Sequence, residues 1–360
     1  MLRMVKRAQM SKTKSTGIRL LAVFLALATA AILIMAMNLN PLEVYGGLFK
    51  GAFGSAYRVR EVIIKATSLI ITSLGIAIAF KMQFWNIGGE GQILMGAFAA
   101  SCLALNLPDL SRPLLLVLMI IAGMIGGGLW ALIPAFFRAQ WKTNETIVTL
   151  MMNYIALKWV MYLQYGPWKD PLALGFPKIP NFTLNGILPK VLGMHIGWIF
   201  AIILVFLVAI FLNHSKKGYE IAVLGESENT ALYAGINVKR TIITAIFLSG
   251  ALCGLTGMIQ ASALNNTLSI EVSEGIGYTA IITTWLGGLK PVFISLVSVL
   301  FAALLQGGSF IQIAFGIPQA AAQLLQGMIL FFVLGSEFFI RYKLVVDRPS
   351  LGEAKEGLEE

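Results

Sequence analysis

Ten apolar segments, joined by more polar stretches, constrain the fold of this chain more than any other feature of its sequence. They lie near residues 18–37, 62–80, 86–107, 113–137, 145–165, 195–213, 241–263, 275–289, 291–313 and 319–340. A helix of about 20 apolar residues crosses the hydrocarbon core of a bilayer, and only segment 275–289 is short for a full crossing. The sequence therefore predicts an all-α membrane protein with about ten transmembrane helices.

The composition also indicates that this chain lies in a lipid bilayer. Hydrophobic residues make up 58% of the chain and charged residues only 12%, whereas a typical soluble domain is nearer half apolar and a quarter charged. The net charge of +10 does not indicate nucleic-acid binding, because the basic residues are spread between apolar runs. Basic flanks of this kind orient membrane helices, and anionic lipid is the simpler partner.

The basic residues also predict a topology. With the N-terminus in the cytoplasm, most Lys and Arg residues fall on the cytoplasmic side, although Arg58, Arg60 and Lys65 do not. An even number of spans places both termini there. We therefore expect cytoplasmic tails at 1–17 and 341–360 and a transmembrane domain at 18–340, in the cell membrane. A cleaved signal peptide is the alternative for the first span, but its apolar region is usually shorter.

Two loops are longer than their connections require. The external loop 166–194 contains five prolines and is predicted to be irregular. The cytoplasmic loop 214–240 has no proline between residues 219 and 232, which predicts one or two short helices there. Small residues predict close helix contacts, since Gly123 and Gly127 are four residues apart and so are Gly250 and Gly254, with Gly257 following.

The stretch from Phe84 to Gln92 is the most unusual part of the chain, because it joins two apolar runs without an ordinary polar loop. Its glycines unwind a helix easily, and its polar side chains are costly when they face lipid. We therefore predict a broken helix near residues 86–92 beside a water-filled path. A tight cytoplasmic turn is the alternative. A second break is predicted from Gly287 to Pro291.

Polar residues also open and interrupt the segment that begins at residue 145. Asn144 or Thr143 is placed to cap that helix, and Glu145 complements its positive N-terminal dipole. A direct part for Glu145 in transport stays open beside this structural one. Asn153 lies in the middle of the span, where polar residues usually face the bundle interior or a pathway.

Catalytic patterns are absent from the sequence. It has no phosphate-binding G-x-x-x-x-G-K-[ST] loop and no H-E-x-x-H or G-x-S-x-G motif. Its two cysteines and two histidines have no metal-ligand spacing. We expect no enzyme activity, no metal and no cofactor of its own, and a membrane enzyme is a distant alternative. Only Glu90 and Glu145 are candidates for the buried acids that an ion-coupled carrier needs.

Three groups of residues carry a resemblance to a known family. The run from Phe84 to Gln92 resembles the signature of permeases for simple sugars, nucleosides and branched-chain amino acids, the membrane subunits of bacterial ABC importers. Asn144-Glu145 with the segment 152–156 is similar to the nucleoside permeases that work with a basic membrane lipoprotein. The segment from Leu224 to Ile236 resembles the loop that docks on the ATPase. The resemblance covers residues 60–340, with departures at Ser227-Glu228, Leu232 and Thr283-Thr284-Trp285.

The resemblance implies a type II ABC importer-like bundle and a machine of several chains. ATP would be bound by partner ATPase subunits that dock on loop 214–240. A second permease subunit, identical or not, would complete the path, and a lipid-anchored solute-binding protein would deliver a small solute. The docking residues are then Gly225, Glu226, Asn229, Ala231, Tyr233 and Gly235.

The function predicted from the sequence is import of nucleosides by alternating access, driven by ATP. The residues predicted to line the path, with three aromatic rings that could stack a base, are Trp85, Asn86, Gly88, Gly89, Glu90, Gln92, Asn153, Tyr154 and Trp285. A permease for a sugar such as ribose or for a branched-chain amino acid is the nearest alternative. A stand-alone secondary transporter is the alternative from another class.

Overall fold

The computed structural model describes residues 2–6, 11–173 and 175–346, and most of them are α-helical. The helices are α1 (Lys12–Ala36), α2 (Pro41–Phe53), α3 (Ala56–Lys81), α4 (Gly89–Asn106), α5 (Arg112–Trp141), α6 (Glu145–Tyr165), α7 (Gly197–His214), α8 (Lys216–Glu226), α9 (Glu228–Tyr233), α10 (Val238–Ile259), α11 (Ile276–Leu286), α12 (Pro291–Phe315) and α13 (Gln319–Arg341). A π-helix follows α10 at Gln260–Asn265, and 3-10 helices lie at Leu184–Gly186 and Ile270–Val272. Two short antiparallel strand pairs complete the secondary structure. They join β1 (Leu2–Lys6) to β4 (Tyr342–Val346) and β2 (Lys190–Val191) to β3 (Met194–His195).

Within the described residues, eight helices are long and apolar enough to cross a membrane, which confirms the multi-span all-α class. The other two predicted segments also form helices. Helix α4 has 18 residues, and its first turn is polar. Helix α11 has only 11 residues, about 16 Å, which is about half the thickness of the hydrocarbon core. Helix α2 was missed by the sequence analysis, because its 13 residues contain three glycines and a lysine.

The chain divides into two compact units, of which the first contains residues 1–51 and 307–360. Its core is formed where α1 packs on α13, with α2 and the end of α12 contributing. The fully buried side chains there include Ala30, Ile34 and Ile311. On α2, a Cβ at Gly47 would lie 2.6 Å from the ring of Phe315, so small residues set this contact. The N-terminal strand β1 pairs with β4 from Leu2↔Val346 to Lys6↔Tyr342.

The second unit, residues 52–306, is built around α3 and α10. Helix α3 carries no charged residue from Ala66 to Phe80, and it is buried from Ala66 to Leu69 and from Ile71 to Phe80 against α7, α10 and α11. Its polar side chains bond across these contacts. Thr72 and Thr256 lie 3.0 Å apart, and Ser73 and Thr283 lie 2.6 Å apart. Such bonds hold helices together where apolar packing alone gives no preference over lipid.

Helices α4, α5 and α10 meet at glycines, as the spacing of small residues predicts. A Cβ at Gly254 would overlap the carbonyl oxygen of Gly123 and lie 2.9 Å from the Cα of Gly127. A Cβ at Gly96 would in turn overlap the Cα of Gly254. The three backbones therefore touch directly, which only glycine allows at this crossing.

This contact gives a stability prediction. We expect Gly254→Ala to lower the thermal midpoint of the detergent-solubilised protein, because overpacking of this kind costs about 1–3 kcal/mol. Gly335→Ala on α13 is the control, since nothing lies within 4 Å of a Cβ there. Alanine favours a helix over glycine by about 1 kcal/mol, so the control should not lose stability. Equal midpoints for the two variants would contradict the glycine contact.

Candidate functional site

The segment between α3 and α4 is non-helical and largely buried, with Gln83 and Trp85 exposed. Helix α3 ends at Lys81 and α4 begins at Gly89, so the break covers 82–88 rather than 86–92. Residues 89–92 form the first turn of α4. Phe84 is 3% exposed and Asn86 is fully buried. A buried chain without helical hydrogen bonds needs other partners for its backbone N–H and C=O groups.

The Asn86 side chain supplies one of these bonds and also bonds to side chains of α4 and α10. Its Nδ2 donates to Ser249 Oγ of α10 at 3.1 Å and to Gln92 Oε1 at 3.2 Å. Its Oδ1 accepts from Gln92 Nε2 at 3.0 Å and from the Gly88 N–H at 3.0 Å. The two amide side chains therefore face each other in a closed pair. Asn86 and Gln92 thus hold the break against α4 and α10.

Asn153 of α6 forms a second centre of bonding. Its Nδ2 donates to the Ile87 carbonyl at 2.9 Å and to the Tyr278 hydroxyl at 3.4 Å. Its Oδ1 accepts the Gly91 N–H at 2.8 Å. One turn earlier on α6, Thr149 Oγ1 accepts the Ile87 N–H at 3.3 Å. The polar residue predicted in the middle of the span therefore joins α4, α6, α11 and the break.

Glu90 caps the N-terminus of the short helix α11. Its Oε1 accepts the Gly275 N–H and its Oε2 the Gly277 N–H, both at 2.8 Å. Gly275 has φ +77, and a Cβ at Gly277 would overlap the backbone N of Glu90. A carboxylate here satisfies two free N–H groups and complements the helix dipole. Glu90 thus positions a helix as well as lying beside the predicted path.

An open groove of about 340 Å³ lies next to these bonds. It contains Glu90, Asn153 and Tyr154, together with Glu271, Glu274 and Tyr278. Tyr154 also borders a second hollow on the outer face of α6, where it is joined by Lys158, Trp159 and Tyr162. Tyr154 is 56% exposed, and Trp159 is steadied by an edge contact with Phe98. One face of α6 thus presents a strip in which aromatic and polar side chains lie among apolar ones such as Ile155 and Leu157.

Trp85 and Trp285 lie together elsewhere in the same unit. Their rings stack at 5.4 Å, and Phe80 contacts both, with centroids at 5.5 and 5.7 Å. The two rings therefore cover each other, while Tyr154 lines a different surface. Thr283 and Thr284 are fully buried against α3, where the Thr284 hydroxyl donates to the Ser73 carbonyl at 3.0 Å. The side chains of Thr283 and Thr284 thus contribute to the packing of α11 on α3.

Loop 214–240 folds as the two short helices α8 and α9, as predicted. Ser227 caps α9 by accepting the Thr230 N–H at 3.3 Å. The predicted docking residues fall into two groups: Gly225 and Ala231 are buried, whereas Glu226, Asn229, Tyr233 and Gly235 are exposed. Tyr233 is 93% exposed. A Cβ at Gly225 would overlap the Lys81 carbonyl oxygen, so this glycine seats α8 against the end of α3.

An ion pair fixes the base of these helices. Lys217 Nζ lies 2.6 Å from Glu220 Oε2, which also accepts from Thr241 Oγ1 at 3.2 Å. The hydrogen bond from Lys217, despite partial burial, lowers the pKa of Glu220 below its usual value. Glu220 therefore stays charged and ties α8 to the start of α10.

Several residues of the site were missed by the sequence analysis. They include Thr149, Ser249, Gly275, Gly277 and Tyr278, whose partners are 60 or more residues away. Asn144, in contrast, was found from its position and accepts the Thr146 N–H at 3.0 Å and the Ile147 N–H at 3.4 Å. Among the described residues, no three His, Cys, Asp or Glu side chains are grouped to hold a metal ion.

Comparison with known proteins identifies the class. Residues 58–334 match the family described as branched-chain amino acid transport system / permease component. The glucose ABC transporter permease protein TsgB13 of Haloferax volcanii is 31% identical over 91% of this chain and 89% of its own length. The nucleoside ABC transporter permease protein NupB of Lactococcus lactis is 31% identical over 90% of this chain and 92% of its own. The guanosine ABC transporter permease protein NupP of Bacillus subtilis is 30% identical over 90% and 94%.

The chain belongs to this family of ABC importer permeases. It is a multi-pass cell-membrane protein and a transport subunit rather than an enzyme. Permeases of this family work with ATPase and solute-binding partners. The relatives of this chain that are described above are named for transport of glucose, nucleosides or guanosine.

The cap on α11 gives a prediction for Glu90. We expect Glu90→Ala to raise amide exchange at residues 275–279 by about tenfold or more, because hydrogen bonds to a charged acceptor contribute about 1.5–3 kcal/mol each. Glu90→Gln keeps one acceptor and should have a smaller effect. Glu271→Ala is the control, since this exposed carboxylate lines the same groove. Unchanged exchange in Glu90→Ala would show that the cap does not hold α11.

Proposed function

We propose that this permease imports nucleosides by alternating access, driven by ATP that its partner subunits bind. The strip on α6 and the adjoining groove form the transit surface in this proposal. Its central residues are Asn153 and Tyr154, with Tyr278 of α11 beside them. The break 82–88 is held in place by Asn86, Gly88, Gly89 and Gln92. Trp85 and Trp285 lie on the other side of the break.

The observation that carries the proposal is that a few hydrogen-bonding side chains lie at an open groove whose surface is otherwise largely apolar. Asn153 and Tyr278 share a hydrogen bond at the wall of the groove, and Glu90 lies in the same wall. Polar groups in spans usually face a pathway or the bundle interior, because lipid offers them no hydrogen bonds. An open groove that combines apolar walls with a few hydrogen-bonding groups therefore favours passage of a solute that carries both an apolar ring and hydroxyl or amide groups.

The chemistry of the groove suits a nucleoside. Tyr154 and Tyr278 present aromatic rings against which a base can stack, and each carries a hydroxyl group. Glu271 and Glu274 at the groove accept hydrogen bonds from ribose hydroxyls and disfavour phosphorylated solutes. Two of the relatives are named for nucleoside or guanosine transport, in agreement with this preference.

A simple sugar is the second candidate, because one relative is named a glucose permease. Aromatic rings and carboxylates also bind sugars, so the groove chemistry does not separate the two substrates. A stand-alone secondary transporter is less well supported. The acids Glu90 and Glu145 are both engaged, one as the cap of α11 and one with Arg138 at 3.5 Å.

The proposed assembly contains at least three kinds of chain. ATPase subunits dock on α8 and α9, where Tyr233 and Asn229 are exposed. A second permease subunit covers the outer face of α6, and a lipid-anchored solute-binding protein delivers the solute on the other side. In this arrangement loop 214–240 and both termini are cytoplasmic, with tails at 1–17 and 341–360 around a permease domain at 18–340. Residues 347–360 lie outside the described part. The permease itself needs no cofactor.

Uptake into proteoliposomes tests this function. The complete complex, with ATPases and solute-binding protein, is reconstituted and supplied with labelled guanosine, adenosine, ribose or glucose. We expect nucleoside uptake that requires ATP on the side of the ATPases. Uptake driven by an ion gradient with the permease alone would establish a secondary transporter. Uptake of glucose without nucleosides would assign a sugar permease.

Substitutions of two tyrosines on α6, Tyr154 and Tyr165, test the transit surface. We expect Tyr154→Ala to raise the KM for nucleoside uptake about tenfold, because an aromatic stack on a base contributes about 1–3 kcal/mol. Tyr165→Ala is a matched control on α6, because Tyr165 is similarly exposed, at 60%, and lies outside the groove and the hollow. Equal effects of the two substitutions on KM would remove Tyr154 from the transit surface.

A further inference from the structure

Glu145 occupies an unusual place for an acid in the first turn of a membrane-spanning helix. It is 7% exposed, and its two carboxylate oxygens contact two different parts of the chain. Oε1 accepts the backbone N–H of Trp85 at 3.5 Å, and Oε2 lies 3.5 Å from Arg138 Nε at the end of α5. The sequence analysis considered its effect on the α6 dipole and a direct part in transport, but no contact with another part of the chain. The contacts give it a connecting position as well.

Three side chains of α6 contact the backbone of the break 82–88, and Glu145 is the one nearest to the start of the helix. Thr149, one turn further, accepts the Ile87 N–H at 3.3 Å and donates to the Glu145 carbonyl at 2.7 Å. Asn153 follows after another turn and donates to the Ile87 carbonyl. The break therefore follows α6 wherever that helix moves, provided these bonds persist.

The helices α8 and α9 also contact elements that adjoin the break 82–88. Glu228 of α9 forms an ion pair with Lys142 at 3.0 Å, four residues after Arg138. Gly225 of α8 lies against the Lys81 carbonyl at the end of α3. Both short helices thus contact elements that adjoin the break. The connection from α9 to Trp85 contains two charged contacts, Glu228 with Lys142 and Arg138 with Glu145.

A cavity of about 260 Å³ lies among these contacts. Its walls come from four places: residues 82–84, the end of α5, residues 224–228, and Val238 and Ile242 of α10. Close-packed interiors resist movement, and a space of this size lets α8 and α9 shift without overlap. The Glu145 contacts are long for hydrogen bonds, so a movement of a few tenths of an ångström makes or breaks them.

We propose that Glu145 is a positioning residue that transmits movement of α8 and α9 to the break 82–88. The inference rests on the proposed function, since it assumes that ATPases drive these helices. When α9 moves, Lys142 and Arg138 move with it, and the Arg138–Glu145 contact changes the hold on Trp85. Trp85 stacks on Trp285 of α11, and the opposite end of α11 is capped by Glu90 at the groove. The movement thus reaches the transit surface without a direct contact between Glu145 and the solute.

The experiment uses the complete complex in proteoliposomes with two readouts. The first is the number of solute molecules imported per ATP hydrolysed. The second is the change in amide exchange at residues 85–88 between the nucleotide-free complex and the complex trapped with an ATP analogue. The second readout does not depend on any transported solute, so failure of the relay and failure of the proposed function are distinguishable.

We expect Glu145→Ala to lower the import per ATP about tenfold while ATP hydrolysis continues, and to abolish the exchange change at 85–88. Glu145→Gln keeps an oxygen for the Trp85 N–H and should lower import per ATP about threefold. Glu43→Ala and Glu43→Gln are matched controls, because Glu43 is also an acid in the first turn of a helix. They should match the wild type in both readouts.

Two surface substitutions keep the proposal testable if Glu145 variants fail to assemble. Lys142→Glu and Glu228→Lys should each lower import per ATP about twofold to fivefold, the range for an exposed ion pair. The double variant restores the pair with reversed charges and should recover the wild-type ratio. The proposal is overturned if Glu145→Ala retains the wild-type ratio and exchange change. It is also overturned if hydrolysis and import fall together in every Glu145 variant, or if the double variant shows no recovery.

Discussion

The structure of residues 52–306 depends on how the non-helical stretch 82–88 satisfies its backbone polar groups inside a membrane protein. Lipid offers no hydrogen bonds, so each buried N–H and C=O group in the break needs a protein partner. Helix α6 provides Thr149 and Asn153 for Ile87, and Asn86 provides its own oxygen for Gly88. Polar side chains are needed at these positions because the backbone beside them is not helical, so its N–H and C=O groups lack helical partners. The polar centre is thus a consequence of the break.

The same requirement explains why glycines cluster around this centre. Helix α4 must approach α6, α10 and α11 closely for short side chains to reach the break. Its glycines permit this, since a Cβ at Gly91 would lie 2.9 Å from Asn153 Oδ1. The contact of α10 with α4 and α5 at Gly254 brings Ser249, on the same helix, within 3.1 Å of Asn86. Close packing and hydrogen bonding therefore support each other, and neither is achieved with larger residues.

The sequence was sufficient for features that depend on neighbouring residues. Apolar length predicts the long helices, the position before an apolar run indicates Asn144 or Thr143 as a cap, and the small-residue spacing predicts close helix contacts at the glycines of α5 and α10. The sequence was not sufficient for contacts across the fold. Glu90 finds its partners at Gly275 and Gly277, 185 and 187 residues away, and no local pattern indicates that pairing. Helix α2 was missed because its 13 residues carry a weak apolar signal.

In the proposed function, the outer face of α6 is part of the transit surface. Lys158 lies about 20 Å from the start of the helix and about 10 Å from its end, and none of the ion pairs formed by described residues includes it. A lysine deep in lipid costs about 2.5–3.5 kcal/mol by insertion scales. Tyr154 lies one turn deeper, and Asn153 and Glu90 lie in the groove beside it. A lipid-facing helix has no need of polar groups at successive depths. A solute that leaves water does need them, because at each step it must replace the hydrogen bonds that it has just lost.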